Sequence, residues 1–419
     1  MGSGDERIRV LMFGWEFPPF NSGGLGVACL GLTKAIVGEN AEIIFVLPKK
    51  IDIKNSPVKL HFADSHLVNY KIIDSLISPY LTEDDFLKKR GNFGDYGMDL
   101  IDAVKLYALR AREIAKEENF NIIHAHDWLS FGAGIEAKKI SGKPLIVHIH
   151  STEFDRTGGT GINNEIYLLE KQGMEYADAI IAVSNFTKDV IISKYGIPPE
   201  KIQVVHNGIE NKEETQKDQN KSDFFRIIKT NGGKIVIFVG RITIQKGPDY
   251  FLKSAKKVLE FCPNTFFIVA GSGDMQNQII RQTAQLGISD RVLFSGFLRD
   301  EELNSLYKNA DLFIMPSVSE PFGLTALEAM QHGTPVIVSK QSGVSEVVNH
   351  ALKVDFWDTD ELTNKIVSVL KNESLSSTLK SNSLNEVKTI SWKNAAQKCV
   401  EIYKKILGQF KFFLKKKDK

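Results

Sequence analysis

Residues able to do chemistry gather at the ends of short apolar runs in this chain. The loop Trp15–Gly26 contains Gly23-Gly24 and leads straight into a helical stretch. Glycines entering a helix N-terminus let backbone N–H groups approach an anion such as a diphosphate, and the helix dipole adds to the attraction. The same loop reads equally well as a plain strand-to-helix turn. A dinucleotide fingerprint does not fit it. Cys29 stands where the third glycine belongs, and the next strand ends in Pro48-Lys49 rather than an acid. A second cluster, Gly271-Ser272-Gly273-Asp274, carries Gln276 at the third position and reads as a turn.

Two His-x-His pairs follow. His124-Ala125-His126-Asp127-Trp128 ends one strand, and His148-Ile149-His150 ends the next. Strand alternation puts both histidines of a pair on one face. Imidazoles at strand ends can ligate transition metals. No third-ligand cluster of Cys, Asp or Glu is spaced nearby, so the expectation is one hydrogen-bonding histidine at a ligand cleft and satisfied structural histidines elsewhere. Asp358-Thr359-Asp360 directly precedes a helical stretch, where N-capping accounts for it better than a metal does.

The second half offers cations and acids. Arg241 follows a strand, and Lys246 comes a short loop later. Together they could hold a diphosphate, the guanidinium bidentately and the ammonium as a point charge; the alternative is a pair of solvated surface cations. Ser319–Met330 places Glu320 just before a helix and Glu328 one to two turns inside it. Glu320 could accept sugar hydroxyls, Glu328 the hydroxyls of a ribose, and the amides of Gly323, Leu324 and Thr325 an anion. The alternative is capping by Glu320 and a solvated Glu328.

The elements that must position these residues are short, nearly continuous apolar runs separated by helical stretches. Ile8–Phe13, Ile43–Leu47, Ile122–His124, Leu145–Ile149 and Ala179–Val183 belong to one series. Ile235–Val239, Phe266–Ala270, Arg291–Phe294, Leu312–Met315 and Pro335–Val338 form a second. Such runs are strands buried on both faces, and βαβ spacing makes the sheets parallel. The polar stretch Glu210–Ser222 separates the two series, and a further polar stretch, Lys371–Ser383, precedes a last helix from Trp392 to Leu407. The expected fold class is α/β, with two doubly wound parallel-sheet, Rossmann-like domains facing a ligand cleft at the carboxyl ends of their strands. The domains are expected to span 1–207 and 208–391. The helix at about 392–408 is expected to pack back on the first domain, and 409–419 forms a basic-aromatic tail.

The 419 residues leave room for more than one core, and 53 Lys plus Arg against 51 Asp plus Glu give a net charge of only +2. That balance argues against a nucleic-acid partner, which calls for a basic face. Three dispersed cysteines, Cys29, Cys262 and Cys399, form no disulfide framework and suit a reducing, cytoplasmic setting. The tail Phe410–Lys417 mixes aromatics with lysines, which makes peripheral membrane contact a candidate role for it.

Taken in order, these motifs resemble retaining GT-B glycosyltransferases of family 4, in the style of glycogen and starch synthases. The resemblance runs from Ile8 to about Leu407. It rests on Glu320-x7-Glu328 with Pro321-Phe322-Gly323-Leu324, on Gly240-Arg241 with Lys246-Gly247, and on Val183-Ser184-Asn185, His206-Asn207-Gly208 and Gly23-Gly24. It implies a nucleotide-diphosphate sugar donor, with glucose the favoured sugar and UDP or ADP among the bases, and a hydroxyl acceptor such as an α-glucan. The Gly23 and Gly24 amides would meet donor phosphates, and Arg241 and Lys246 would hold the leaving diphosphate. Glu320 and the amides of Gly323, Leu324 and Thr325 would contact sugar and phosphate, while Glu328 takes the ribose. His150 would lie near the reacting carbon and Asp127 on the acceptor side. No cofactor and no divalent metal are implied. Bacterial glycogen synthases carry a Lys before the glycine pair, where this chain has Asn21-Ser22. Two alternatives stay open at this point: a sugar-nucleotide epimerase of the same architecture, and a metal-dependent hydrolase built on the His-x-His pairs.

Overall fold

The computed structural model describes residues 7–18, 23–49, 56, 58–63, 100–210 and 223–417. Asn21-Ser22, most of Lys49–Asp95 and residues 211–222 of the polar stretch lie outside them. The chain divides into two compact units. The first comprises Met1–Phe154, Gly159–Gly208 and Trp392–Lys419, and the second Asp155–Gly158 and Ile209–Ser391.

In the first unit the strands are β1 (Ile8–Phe13), β2 (Ala41–Leu47), β3 (Lys59–Phe62), β4 (Ile122–His126), β5 (Leu145–Ile149), β6 (Ala179–Ala182) and β7 (Ile202–Val204). They pair in the order β3-β2-β1-β4-β5-β6-β7, every pair parallel. Parallel neighbours need crossovers, and helices such as Gly24–Val37, Trp128–Ser141 and Asn185–Tyr195 supply them. β4 and β5 are buried along their whole length, as a covered parallel sheet requires. Helix starts carry their own signals: the Asn163 side chain accepts the amides of Glu165 and Ile166, and that of Ser184 the amide of Thr187.

The second unit holds β8 (Lys234–Val239), β9 (Thr265–Ala270), β10 (Val292–Gly296), β11 (Leu312–Met315), β12 (Val336–Ser339) and β13 (Leu352–Val354). Their order is β10-β9-β8-β11-β12-β13, again all parallel. Asp358 caps the helix Thr359–Lys371, its side chain accepting the Glu361 amide at 2.9 Å, so this acid serves a backbone.

Three features depart from the sequence reading. Strands β3, β7 and β13 are additions, each at a sheet edge. The stretch Lys371–Ser383, read only as polar, lies largely in a helix, Glu373–Val387, whose buried residues Leu379, Ser383 and Val387 recur every fourth position. The last helix runs from Trp392 to Lys417, through the segment read as a tail.

That last helix returns to the first unit after the chain has built the second. It packs on helix Gly24–Val37 so closely that a Cβ added to Gly31 would lie 2.3 Å from Trp392 Nε1. Its buried stripe, Trp392, Ala396, Cys399, Tyr403 and Ile406, alternates four- and three-residue steps. Each large apolar side chain in it is worth about 1.5–3 kcal/mol of burial before entropy. Among the described residues, no helix is long and apolar enough to cross a membrane.

Candidate active site

In the second unit, chain order reverses between the neighbours β8 and β11, with β9 and β10 to one side and β12 and β13 to the other. A doubly wound sheet opens a crevice at the carboxyl ends of such a strand pair. The loops leaving those ends carry Arg241 and Lys246 after β8 and Glu320 after β11. Lys246 Nζ sits 2.5 Å from Glu320 Oε2, the two side chains being only 20% and 7% exposed. Ser317 Oγ donates to the same carboxylate oxygen at 3.1 Å. A pair this buried adds little net stability, because desolvating both charges roughly offsets their attraction. Its value lies in two opposite charges held ready beside each other.

The framework around this pair is backbone. Arg241 Nη2 donates to Gln245 Oε1 at 3.0 Å, and the backbone carbonyl of buried Gln245 accepts the Val318 amide at 2.9 Å. The two loops are thereby stitched together. Glu320 is strapped to the loop after β12, its amide donating to the Gln341 carbonyl and its carbonyl accepting from the Gly343 amide, both at 2.9 Å. The glycine cluster read as a turn proves to be the floor under Arg241. The Gly240 amide donates to the Ala270 carbonyl at 3.0 Å, that of Ile242 to the Ser272 carbonyl at 2.9 Å, and that of Met275 to the Ile242 carbonyl at 3.0 Å.

Gly323, at φ +112, caps the helix Leu324–Gln331. The first-turn amides of Leu324 and Thr325 have no acceptor within their own helix, and the dipole makes this end attractive to an anion. Glu328, one turn further, is oriented rather than loosely solvated: the hydroxyl of buried Tyr307 donates to its Oε2 at 3.0 Å. Burial, and then the Glu328 carboxylate, push the Tyr307 hydroxyl well above its ordinary range, so it stays a donor. Gln245, Ser317 and Tyr307 carry no motif signal. The successive strand-end glycines Gly240 and Gly271 did offer one.

In the first unit the corresponding reversal lies between β1 and β4. Gly23 caps the helix after β1, and among the described residues a Cβ added to Gly24 would meet nothing within 4 Å. After β4 comes Asp127, at φ 58 and ψ 169, a conformation that non-glycine residues rarely adopt. Its buried Oδ1 accepts the amides of His150 at 2.6 Å and Ser151 at 3.4 Å. Asp127 therefore fixes the backbone that carries His150.

His150 Nε2 lies 2.9 Å from His126 Nδ1. All four histidines of the His-x-His pairs are buried and stacked, with ring centroids 4.4 Å apart for His124–His126 and 4.3 Å for His148–His150. Burial pushes His124 and His150 down to about 3 and holds His126 and His148 well below the usual imidazole range. The stack is therefore neutral near pH 7, and His150 acts as a hydrogen-bonding imidazole rather than a cation. Two expectations need correction here. The histidines are not all satisfied, since among the described residues His148 has no hydrogen-bond partner at either ring nitrogen. A further ligand is also at hand: Cys29, from helix Gly24–Val37, reaches within 4.8 Å of His126 and His150 ligand atoms. Local spacing hides it because it arrives from a different element.

The chain is 31% identical over 413 residues to an uncharacterised glycosyltransferase of Methanocaldococcus jannaschii, covering 95% of this chain and 98% of that protein. This protein belongs to glycosyltransferase family 4. Residues 96–213 match the family model described as Glycosyltransferase Family 4, and residues 219–386 the model described as Glycosyl transferases group 1. A glycogen synthase of Mycobacterium tuberculosis is 27% identical over 352 residues, covering 81% of this chain and 80% of that enzyme. Among solved structures, the sucrose-phosphate synthase of Thermosynechococcus elongatus superposes with a TM-score of 0.74 at 20% identity, covering 96% of this chain and 100% of that one. The fold of this glycosyltransferase is GT-B, and its reaction class is transfer of a glycosyl group. Membership in this transferase family sets aside the epimerase and hydrolase alternatives.

Proposed function

We propose that this glycosyltransferase moves a hexosyl group, glucose before others, from a nucleotide-diphosphate sugar to a carbohydrate hydroxyl, with retention of configuration and no metal ion taking part in the transfer. The observation that carries this reading is the Lys246–Glu320 pair beside Arg241 at the strand reversal of the second unit. A diphosphate arriving there competes with Glu320 for the Lys246 ammonium. As Lys246 turns to phosphate, Glu320 is released to accept hydroxyls of the donor sugar, with Ser317 holding its carboxylate in place. Arg241, Lys246 and the amides at Gly323, Leu324 and Thr325 then meet the charge that grows on the departing phosphate. Fixed donors of this kind stabilise a transition state without reorganising at the moment of reaction.

In the step itself, the bond from the anomeric carbon to the phosphate oxygen breaks and one to the acceptor oxygen forms. The acceptor proton passes to the leaving phosphate on the same face. Glu328, oriented by Tyr307, takes the ribose. His150, neutral and held by Asp127, offers a hydrogen bond near the reacting sugar without adding positive charge. The likeness to a glycogen synthase supports a carbohydrate acceptor.

The test is a thermal-shift screen of the full chain against nucleotide sugars. A donor at about 100 times its Kd adds about 2.7 kcal/mol, which for a unit of this size raises Tm by roughly 5–10 °C. Lys246→Ala should abolish the shift. A screen in which no nucleotide sugar moves Tm overturns the reading.

A further inference from the structure

The strand-end loops that carry Lys246 and Glu320 have a third contributor, from much earlier in the chain. Residues Asp155–Gly158 fold with the second unit, although Met1–Phe154 and Gly159–Gly208 on either side of them belong to the first. Asp155 is 0% exposed, and its Oδ1 accepts a hydrogen bond from Ser319 Oγ at 2.5 Å. The Gly158 amide closes the turn by donating to the Asp155 carbonyl at 3.2 Å. Gly158 takes φ +61, and a Cβ there would stand 3.7 Å from Ile244 and 3.8 Å from Val318. The segment therefore lies against both loops of the second unit. Ile244 opens the short turn Ile244–Lys246, while Val318 and Ser319 lead into Glu320.

Burying a carboxyl group is costly unless its oxygens are hydrogen-bonded. A fully buried acid is thus present for its bonds rather than for the space it fills. Here one bond goes to the residue before Glu320, where the backbone is held unevenly. The Val318 amide reaches the Gln245 carbonyl at 2.9 Å, and the Glu320 amide reaches the Gln341 carbonyl at 2.9 Å. Between them, the Ser319 amide approaches the Gln245 carbonyl only to 3.4 Å. Ser319 is the loosely held link of this stretch, and Asp155 grips it by the side chain.

We propose that Asp155 is a positioning residue for the transfer, holding Ser319 and, through it, the backbone of Glu320. The inference rests on the role proposed above for Glu320. A diphosphate that draws Lys246 away removes the ammonium lying 2.5 Å from Glu320 Oε2. Glu320 then keeps its place through Ser317, through its own backbone bonds and through the Asp155–Ser319 tie. Asp155 acts through Ser319 and needs no contact with sugar or phosphate. Its loss should therefore slow the bound complex more than it weakens donor binding.

The test uses the full chain as Asp155→Ala, Asp155→Asn, Ser319→Ala and the double variant Asp155→Ala with Ser319→Ala. Each is assayed for transfer from UDP-glucose and from ADP-glucose, beside Glu320→Gln. Asp155→Ala and Ser319→Ala should each lower kcat about tenfold, because a shift well short of 1 Å in a positioning group is enough. Donor KM should stay within about twofold of wild type. The double variant should be no slower than the slower single one, since both changes remove the same bond. Asp155→Asn keeps an acceptor oxygen and should recover most of the loss. Amide hydrogen exchange needs no donor, and over residues 317–323 it should run about tenfold faster in both alanine variants. Ser319→Ala deletes a single oxygen from a half-buried side chain, so it decides the matter if Asp155→Ala misfolds. Wild-type exchange over 317–323 in folded Ser319→Ala overturns the proposal. So does a loss confined to KM, additive losses in the double variant, or wild-type kcat in the alanine variants while Glu320→Gln is slow. A Glu320→Gln enzyme as fast as wild type would instead refute the role given to Glu320, leaving the exchange rates to decide whether Asp155 holds this loop.

Discussion

Gly271→Ala is the substitution that most sharply separates the role of the glycine floor from that of an ordinary turn. Gly271 adopts φ +143, and a Cβ there would lie 1.8 Å from the Gly240 carbonyl oxygen. Ordinary contact begins at 3.4 Å, so the two backbones must part by most of the difference. Gly240 is the residue before Arg241, and the strain cannot be shed into a side chain because the obstacle is backbone. The unfavourable φ costs about 1–2 kcal/mol, and the separation adds to it. A shift of about 1 Å in a substrate-positioning group costs about 100-fold in rate, equivalent to about 3 kcal/mol of transition-state stabilisation. Gly287→Ala is the matched control. It shares a positive φ, +67, but an added Cβ there meets nothing within 4 Å. The assay is kcat/KM for transfer from the donor that shifts Tm most, with thermal unfolding alongside. Gly271→Ala should lose about 100-fold, while Gly287→Ala loses about 1 kcal/mol of stability and keeps its rate. A folded Gly271→Ala enzyme within threefold of wild type would refute the claim that this floor sets the place of Arg241.

Two other outcomes follow from the packing of the first unit. Gly31→Ala drives a Cβ into the Trp392 ring and should cost about 1–3 kcal/mol, read as a lower Tm and faster proteolysis of the last helix; unchanged values would mean the helix docks elsewhere. Cys29 and Cys399 are fully buried, with burial pushing the Cys399 thiol up to about 12 and the Cys29 thiol well above its ordinary range. A maleimide at neutral pH should therefore label Cys262 alone in the native chain and all three thiols in denaturant, and rapid native labelling of Cys29 would contradict the helix–sheet packing.

Most of the sheet framework was legible because a strand covered on both faces reads as unbroken apolar sequence, as in Ile8–Phe13 or Leu145–Ile149. The strands that escaped, Lys59–Phe62, Ile202–Val204 and Leu352–Val354, are short and sit at sheet edges, where one side is open and polar residues break the run. Helix Glu373–Val387 escaped because only a narrow stripe of Leu379, Ser383 and Val387 is buried, leaving the rest free to be Ser, Asn and Lys. Among the site residues, Arg241, Lys246, Glu320 and Glu328 announced themselves by charge at strand ends and helix starts. Gln245, Ser317 and Tyr307 did not, because what makes them matter is a partner many residues away. Cys29 meets the histidines across a helix–sheet contact that no spacing rule encodes.

In the proposed reaction Glu320, released from Lys246 by the donor, directs the glycosyl transfer. Proton NMR of the full chain with its nucleotide sugar and acceptor tests it most directly, followed for wild type and for Glu320→Gln. Wild type should release nucleoside diphosphate one for one with a glycoside of the donor's own anomeric configuration, and Glu320→Gln should run at least 100-fold slower, a loss of about 3 kcal/mol. Nucleotide released without glycoside, or a Glu320→Gln enzyme as fast as wild type, would mean that Glu320 does not direct a transfer.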